Sequence, residues 1–229
     1  MAVRSCTGGA GGSAVLVAPG GGVAQMGKLI AVIGNSGVGK TTLTKAIAAR
    51  EGFTPACEQH GERPFQHAMA RDSQRYALAN QLDYLLFRAE QEYDLRNKPT
   101  IGVIDGGLDL DFYGFTHLFW QRGYLDDAEF GLCARQYHLL RTLLGPPDLY
   151  IHLAAPLSPI RSRFEQRGRP VEIAEAQDLM LLDELITAWV QQVEPQRLLT
   201  LDAGGIDFCD INTVAAVAEQ ISTWEGGQK

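Results

Sequence analysis

Leu29-Ile30-Ala31-Val32-Ile33-Gly34-Asn35-Ser36-Gly37-Val38-Gly39-Lys40-Thr41-Thr42 is the stretch whose reading decides the fold. Its five leading apolar residues, ended by a glycine, suit a strand buried on both faces of a parallel sheet. Gly34 to Thr41 then matches GxxxxGK[ST], and the helix-forming run from Thr41 to Arg50, closing at Glu51-Gly52, completes the strand, loop and helix that this motif requires. Glycines let backbone N–H groups turn inward around anionic oxygens, while the helix N-terminus adds partial positive charge. Lys40 is spaced to reach the outer phosphates of a nucleoside triphosphate, and the Thr41 hydroxyl to ligate Mg²⁺. The motif alone leaves hydrolysis, switching and phosphoryl transfer open. A guanine-nucleotide switch would add an NKxD element and a correctly spaced DxxG. Only Asp105-Gly106-Gly107-Leu108 comes near, without the spacing, so a small-molecule kinase is favoured.

Outward from the loop, apolar runs alternate with helical patterns. A short strand is expected over Phe53 to Cys57, and one long helix or two in succession over Pro64 to Asp94, where Phe65, Met69, Tyr76, Leu82, Leu85, Leu86 and Tyr93 fall mostly at helical spacings. Strand Ile101 to Ile104 ends at Asp105. Helices follow near Phe112 to Gln121 and Asp126 to Leu144, the second opened by the capping-box sequence Asp126-Asp127-Ala128-Glu129. Gly145-Pro146-Pro147-Asp148 breaks that helix before strand Leu149 to Leu153. A helix from Ser158 to Gln166, the basic turn Arg167-Gly168-Arg169-Pro170, a helix to Val193, strand Leu198 to Leu201 and helix Ile211 to Trp224 complete the chain. The pattern predicts an α/β protein: a P-loop nucleoside triphosphate hydrolase-like three-layer fold, its five-stranded parallel sheet covered by helices on both faces.

The 229 residues suit one domain with a full core. Residues 1–25 are rich in glycine, nearly uncharged and without periodicity, and are expected to be a disordered tail before a domain at 26–229. The net charge of −7 lacks the broad cationic face that counterion release needs, which argues against a nucleic-acid partner. Cys6, Cys57, Cys133 and Cys209 are scattered without zinc-ligand spacing and read as free thiols of a reducing, cytoplasmic compartment. No stretch approaches the roughly 18 apolar residues of a membrane span.

With these elements placed, the chain from about Lys28 to Asp202 resembles the deoxynucleoside kinases, especially the bacterial deoxyadenosine and deoxycytidine kinases. Gly34 to Thr42 fits the family's GNxGxGK[ST]T loop, asparagine included, which implies that Gly34, Asn35, Ser36, Gly37, Val38, Gly39, Lys40, Thr41 and Thr42 hold ATP. Glu58, six residues before Pro64, matches the family's general base for the sugar 5′-hydroxyl. Gln81 and Arg88, two helical turns apart on one face, are similar to its base-reading pair, although a lone glutamine is more commonly a solvated helix residue. Pro147 to Leu153 is similar to the family's PDLxIYL strand, and Arg163, Arg167, Gly168, Arg169 and Glu172 to its lid. The resemblance places Arg163, Arg167 and Arg169 over the transferring phosphoryl group, Glu172 at the sugar and Asp111 at the base.

Two positions depart from the pattern. The acidic-arginine-serine end of the third strand is Asp105-Gly106-Gly107 here, so Asp105 remains to hold Mg²⁺ while the arginine position is Gly106. The tyrosine expected at the sugar is Ala70. Both lie on the acceptor side and leave open a non-catalytic scaffold or regulator, or a kinase of another hydroxylated small molecule. On the weakened-kinase reading, Gly106→Arg is expected to raise nucleoside turnover. The resemblance further implies a small-molecule nucleoside acceptor, no membrane partner, and a homodimer packed through the helices around residues 65 to 93 and 113 to 144.

Overall fold

The computed structural model describes residues 27–57, 63–158, 160–161 and 177–227. Five strands, β1 (Leu29–Gly34), β2 (Thr54–Ala56), β3 (Gly102–Asp105), β4 (Leu149–Ala154) and β5 (Leu198–Asp202), form one sheet in the order β2-β3-β1-β4-β5. Every pairing is parallel, and β1 is central, with Val32 beside Asp105 on one side and Ile151 on the other. The expected five-stranded α/β sheet is therefore present.

Successive β1 side chains go to opposite faces, as the period of two in a strand demands. Ile30 and Val32 pack with Leu43 and Ile47 of α1 (Lys40–Glu51) and Val214, Val217 and Ile221 of the C-terminal helix. Leu29, Ala31 and Ile33 meet Leu95 of α3 (Ser73–Arg96), Leu110 of α4 (Leu108–Leu110), and Leu182, Ile186 and Trp189 of α7 (Asp178–Val190). A third cluster, including Met69, Leu85, Phe112, Phe119 and Tyr137, joins α2 (Pro64–Met69) and α3 to α5 (His117–Gln121) and α6 (Asp127–Leu144). The C-terminal helix is α8 (Ile211–Gly226).

The Pro64 to Asp94 pattern resolves into α2 and α3, because the chain turns at Ala70-Arg71 and Asp72 caps the new helix by accepting the Arg75 N–H at 3.2 Å. The capping box of α6 forms as read: Asp126 accepts the Glu129 N–H at 2.8 Å and Glu129 accepts that of Asp126 at 3.0 Å. One element differs in kind. The helix expected from Phe112 begins at Leu108 and passes through a π-helical turn, Asp111–Thr116, before α5. The wide turn leaves the Asp111 carbonyl to side chains, and the Thr116 hydroxyl donates to it at 3.0 Å, joined by Gln81 Nε2 at 3.4 Å. Glu58, Arg163, Arg167, Arg169, Glu172 and the glycine-rich segment 1–25 lie outside the described residues.

Candidate active site

In an open parallel sheet the crevice opens at the carboxyl ends of the strands, where neighbouring connections diverge to opposite sides. Here that point is the end of β1, between β3 and β4. The phosphate loop leaves it with Gly34, Gly37 and Gly39 all at positive φ, a conformation that side chains resist. Crowding adds to the requirement at Gly34, where a Cβ would sit 2.6 Å from the Leu153 carbonyl oxygen. Lys40 Nζ lies across the loop and donates to the Gly34 and Asn35 carbonyls at 3.1 and 3.0 Å.

Asn35 is buried and serves the loop in two directions. Its Oδ1 accepts the Ser36 N–H at 2.8 Å, while its Nδ2 donates to the Leu179 carbonyl at 2.8 Å and to Asp183 at 3.3 Å, both on α7. Ser36 is also buried, and Val38 faces the core. The loop is thus tied to a helix about 145 residues away in sequence, as the separation of 144 for the first of these bonds shows.

One strand over, β3 delivers Asp105. The Thr41 hydroxyl donates to its Oδ2, and its Oδ1 is buried with no hydrogen-bond partner among the described residues. Such an orphaned carboxylate oxygen is costly unless a further donor or cation meets it. A threonine hydroxyl and a carboxylate at the end of the phosphate loop are the hard oxygen donors that Mg²⁺ takes, so the residues present fit that ion.

Beyond Gly106-Gly107, the acceptor-side candidates converge. Arg88 Nε donates to Asp111 Oδ2 at 2.6 Å, both groups being buried. Its Nη1 reaches Gln91 Oε1 at 3.0 Å, and Gln91 in turn donates to the Cys57 carbonyl just after β2. Gln81 is 2% exposed, which corrects the solvated reading of a lone helix glutamine, and its Nε2 donates to Thr116 Oγ1 at 2.6 Å. Burial, together with the Asp105 charge, pushes the Cys57 thiol above its ordinary range, while Lys45 and Arg88 act in the opposite direction.

The model of the family described as deoxynucleoside kinase matches residues 30–223 of this chain. The chain belongs to the deoxynucleoside kinase family. Deoxynucleoside kinases pass a phosphoryl group from ATP to a nucleoside hydroxyl, and the chain is such a kinase. It is 26% identical over 201 residues to the deoxyadenosine/deoxycytidine kinase of Bacillus subtilis strain 168, covering 85% of this chain and 92% of that protein. It is 24% identical over 207 residues to the deoxyguanosine kinase of the same strain, covering 84% and 96%. Its fold matches the deoxyadenosine kinase from M. mycoides solved with dCMP and dCDP bound, at a TM-score of 0.73 and 20% identity, over 85% of this chain and 99% of that one.

At Gly106, where the resemblance implies an arginine, the backbone favours glycine. Gly106 and Gly107 hold φ of +89° and +95°, and a Cβ on Gly106 would begin 3.4 Å from Arg88 Nη2. An arginine there would be strained at this positive φ and would start beside the Arg88 guanidinium, which works against the expectation that Gly106→Arg raises turnover. Ala70, the other departure, is the exposed C-cap of α2. Sequence reasoning missed Thr116, Gln91 and Asp183 as partners of the site. Each acts through a tertiary contact, although Thr116, on the same helical segment as Asp111, and Gln91, one turn from Arg88 on α3, carried a local signal.

Proposed function

We propose that the kinase transfers the γ-phosphoryl group of Mg·ATP to the 5′-hydroxyl of a deoxynucleoside. The observation carrying this reading is the placement of the Thr41–Asp105 contact and the Arg88–Asp111 pair on either side of one short turn, Gly106-Gly107. Donor and acceptor sites so disposed bring two reactants together in one orientation, which itself lowers the barrier.

The loop amides of Gly34 to Thr42 cradle the phosphates, and Lys40 exchanges its loop carbonyls for the outer phosphate oxygens. Thr41 and Asp105 would hold Mg²⁺, which when bound would neutralise phosphate charge. Gln81 presents a carboxamide able to pair with a base edge, with Arg88 and Asp111 fixing each other beside it. Glu58, by its resemblance to the family's base, takes the proton of the attacking hydroxyl, Glu172 meets the sugar, and Arg163, Arg167 and Arg169 stabilise the charge on the transferring group.

Leu86 and Tyr93 on α3 and Leu132, Leu139 and Leu143 on α6 are exposed, at separations of seven or four residues that align them on helix faces. An apolar face of this kind supports a homodimer through these helices. No helix among the described residues is long and apolar enough to cross a membrane, and the free-thiol cysteines favour the cytoplasm.

The residue assignment is tested by Glu58→Gln. The amide keeps the side chain's size but cannot accept the proton, so nucleoside turnover should fall by about 10²-fold or more while ATP affinity, read by calorimetry, holds. Turnover near the wild-type rate would place the base elsewhere.

A further inference from the structure

Beneath the Gly106-Gly107 turn lies a buried polar group assembled from four elements: Glu92 of α3, Asp109 of α4, Tyr137 and Arg141 of α6, and Tyr150 of β4. Each Asp109 oxygen accepts two hydrogen bonds. Oδ1 takes the Tyr137 hydroxyl at 2.7 Å and Arg141 Nε at 3.0 Å, and Oδ2 takes the Tyr150 hydroxyl at 2.7 Å and Arg141 Nη2 at 2.8 Å. Glu92, fully buried, accepts Arg141 Nη1 on Oε2 at 2.8 Å and, on Oε1, both Arg141 Nη2 at 3.2 Å and the Leu108 N–H at 2.9 Å. Burial and the adjacent Asp109 raise both phenols far above their ordinary range, so they remain neutral donors. Burial acts to lower the Arg141 pKa, but Asp109 and Glu92 outweigh it and keep the guanidinium charged.

Two carboxylates and one guanidinium leave the group formally anionic, and it sits at the N-terminus of the helical segment that begins at Leu108, where the first amides and the helix dipole favour negative charge. Burying so many charges is a poor route to stability, since a well-packed apolar replacement is often as stable. What the group does fix is direction. Glu92 holds the first amide after the glycine pair, and a Cβ on Gly107 would stand in a tight contact, 3.3 Å from that carboxylate oxygen. Asp105 precedes this turn and Asp111 follows its first helical turn.

We infer that Glu92 and Arg141, aided by Tyr150, are positioning residues that set the acceptor half of the site against the donor half, through the Gly106-Gly107 turn. The inference rests on the proposed reading of Asp105 and Asp111 as donor-side and acceptor-side residues. Its consequence is selective: disturbing the group displaces the nucleoside relative to the phosphates and leaves the phosphate loop as it was. Misplacement of about 1 Å can cost roughly 10²-fold in rate.

The test compares full-length wild type with Glu92→Gln and Tyr150→Phe, each at a temperature where circular dichroism and melting show it folded. ATP affinity is measured by calorimetry, and kcat and KM for a deoxynucleoside by steady-state kinetics. The expected result is a fall in nucleoside kcat/KM of about tenfold or more for Glu92→Gln and about threefold for Tyr150→Phe, with ATP affinity within about twofold of wild type. Tyr150→Phe removes one hydroxyl only and decides the matter alone if Glu92→Gln fails to fold. Unchanged kcat/KM in a folded variant, or equal losses of ATP affinity and turnover, would overturn the inference. A wild-type protein that transfers phosphate to no nucleoside would instead sink the underlying reading, before any variant is compared.

Discussion

The connections that follow β1 and β3 leave the same edge of the sheet from adjacent strands, yet they are held in opposite ways. After β1, three glycines at positive φ and the start of α1 shape the phosphate loop almost entirely from its own backbone, with Asn35 as its main tether to α7. After β3, two glycines make the turn, but what fixes its exit is remote: Glu92, Arg141 and, through Asp109, Tyr137 and Tyr150. A backbone cradle suits the phosphates, which every triphosphate shares. A turn set by side chains can be retuned one residue at a time.

The contrast breaks most severely at Lys40. Lys40→Ala removes the ammonium opposite the outer phosphates, and loss of one partner of a close charge pair costs about 2–5 kcal/mol, so calorimetry should show ATP binding weakened by at least roughly 30-fold. Unaltered affinity in the folded variant would show that the loop does not hold the triphosphate in this way. Asp105→Asn comes next, since it weakens the donor side where the two connections meet. Turnover should drop by about 10²-fold, and a rate equal to wild type would remove Asp105 from the metal site.

Smaller effects sharpen the acceptor half. Gly106→Arg should lower both melting temperature and nucleoside turnover, because a residue at φ +89° is strained and its side chain starts 3.4 Å from Arg88 Nη2. A gain in turnover would mean that the turn tolerates an arginine and that Arg88 moves aside. Gly107→Ala introduces strain of about 1–3 kcal/mol, or roughly 2–4 °C of melting temperature per kcal/mol, and should reduce nucleoside turnover more than ATP affinity. Deletion of residues 1–25 is expected to change least: a segment of this composition has little to pack, so the melting temperature should move by under about 2 °C.

The strands, the phosphate loop and the α6 capping box were legible because each is written in contiguous residues: Leu29 to Thr42 for β1 and the loop, Asp126 to Glu129 for the capping box. Asp105 was legible as the end of an apolar strand. The π-turn was not, because the Asp111 carbonyl it leaves open is met by Thr116 and by Gln81, which lies 30 residues earlier. Glu92, Asp109, Arg141 and Tyr150 read individually as ordinary helix and strand residues, and only the packing of α3, α6 and β4 brings them together. For Gln81 residue statistics pointed to solvent, whereas the packing of α3 buries it.

The central claim, that this chain moves phosphate from ATP to a nucleoside, is tested most directly by incubating the wild-type protein with Mg²⁺, γ-labelled ATP and each common deoxynucleoside in turn, beside a control lacking acceptor. Label should appear in a deoxynucleoside 5′-monophosphate in amounts equal to the ADP formed, with little ADP formed in the control. ADP produced equally fast without acceptor, or a panel in which no nucleoside takes up label, would contradict the account.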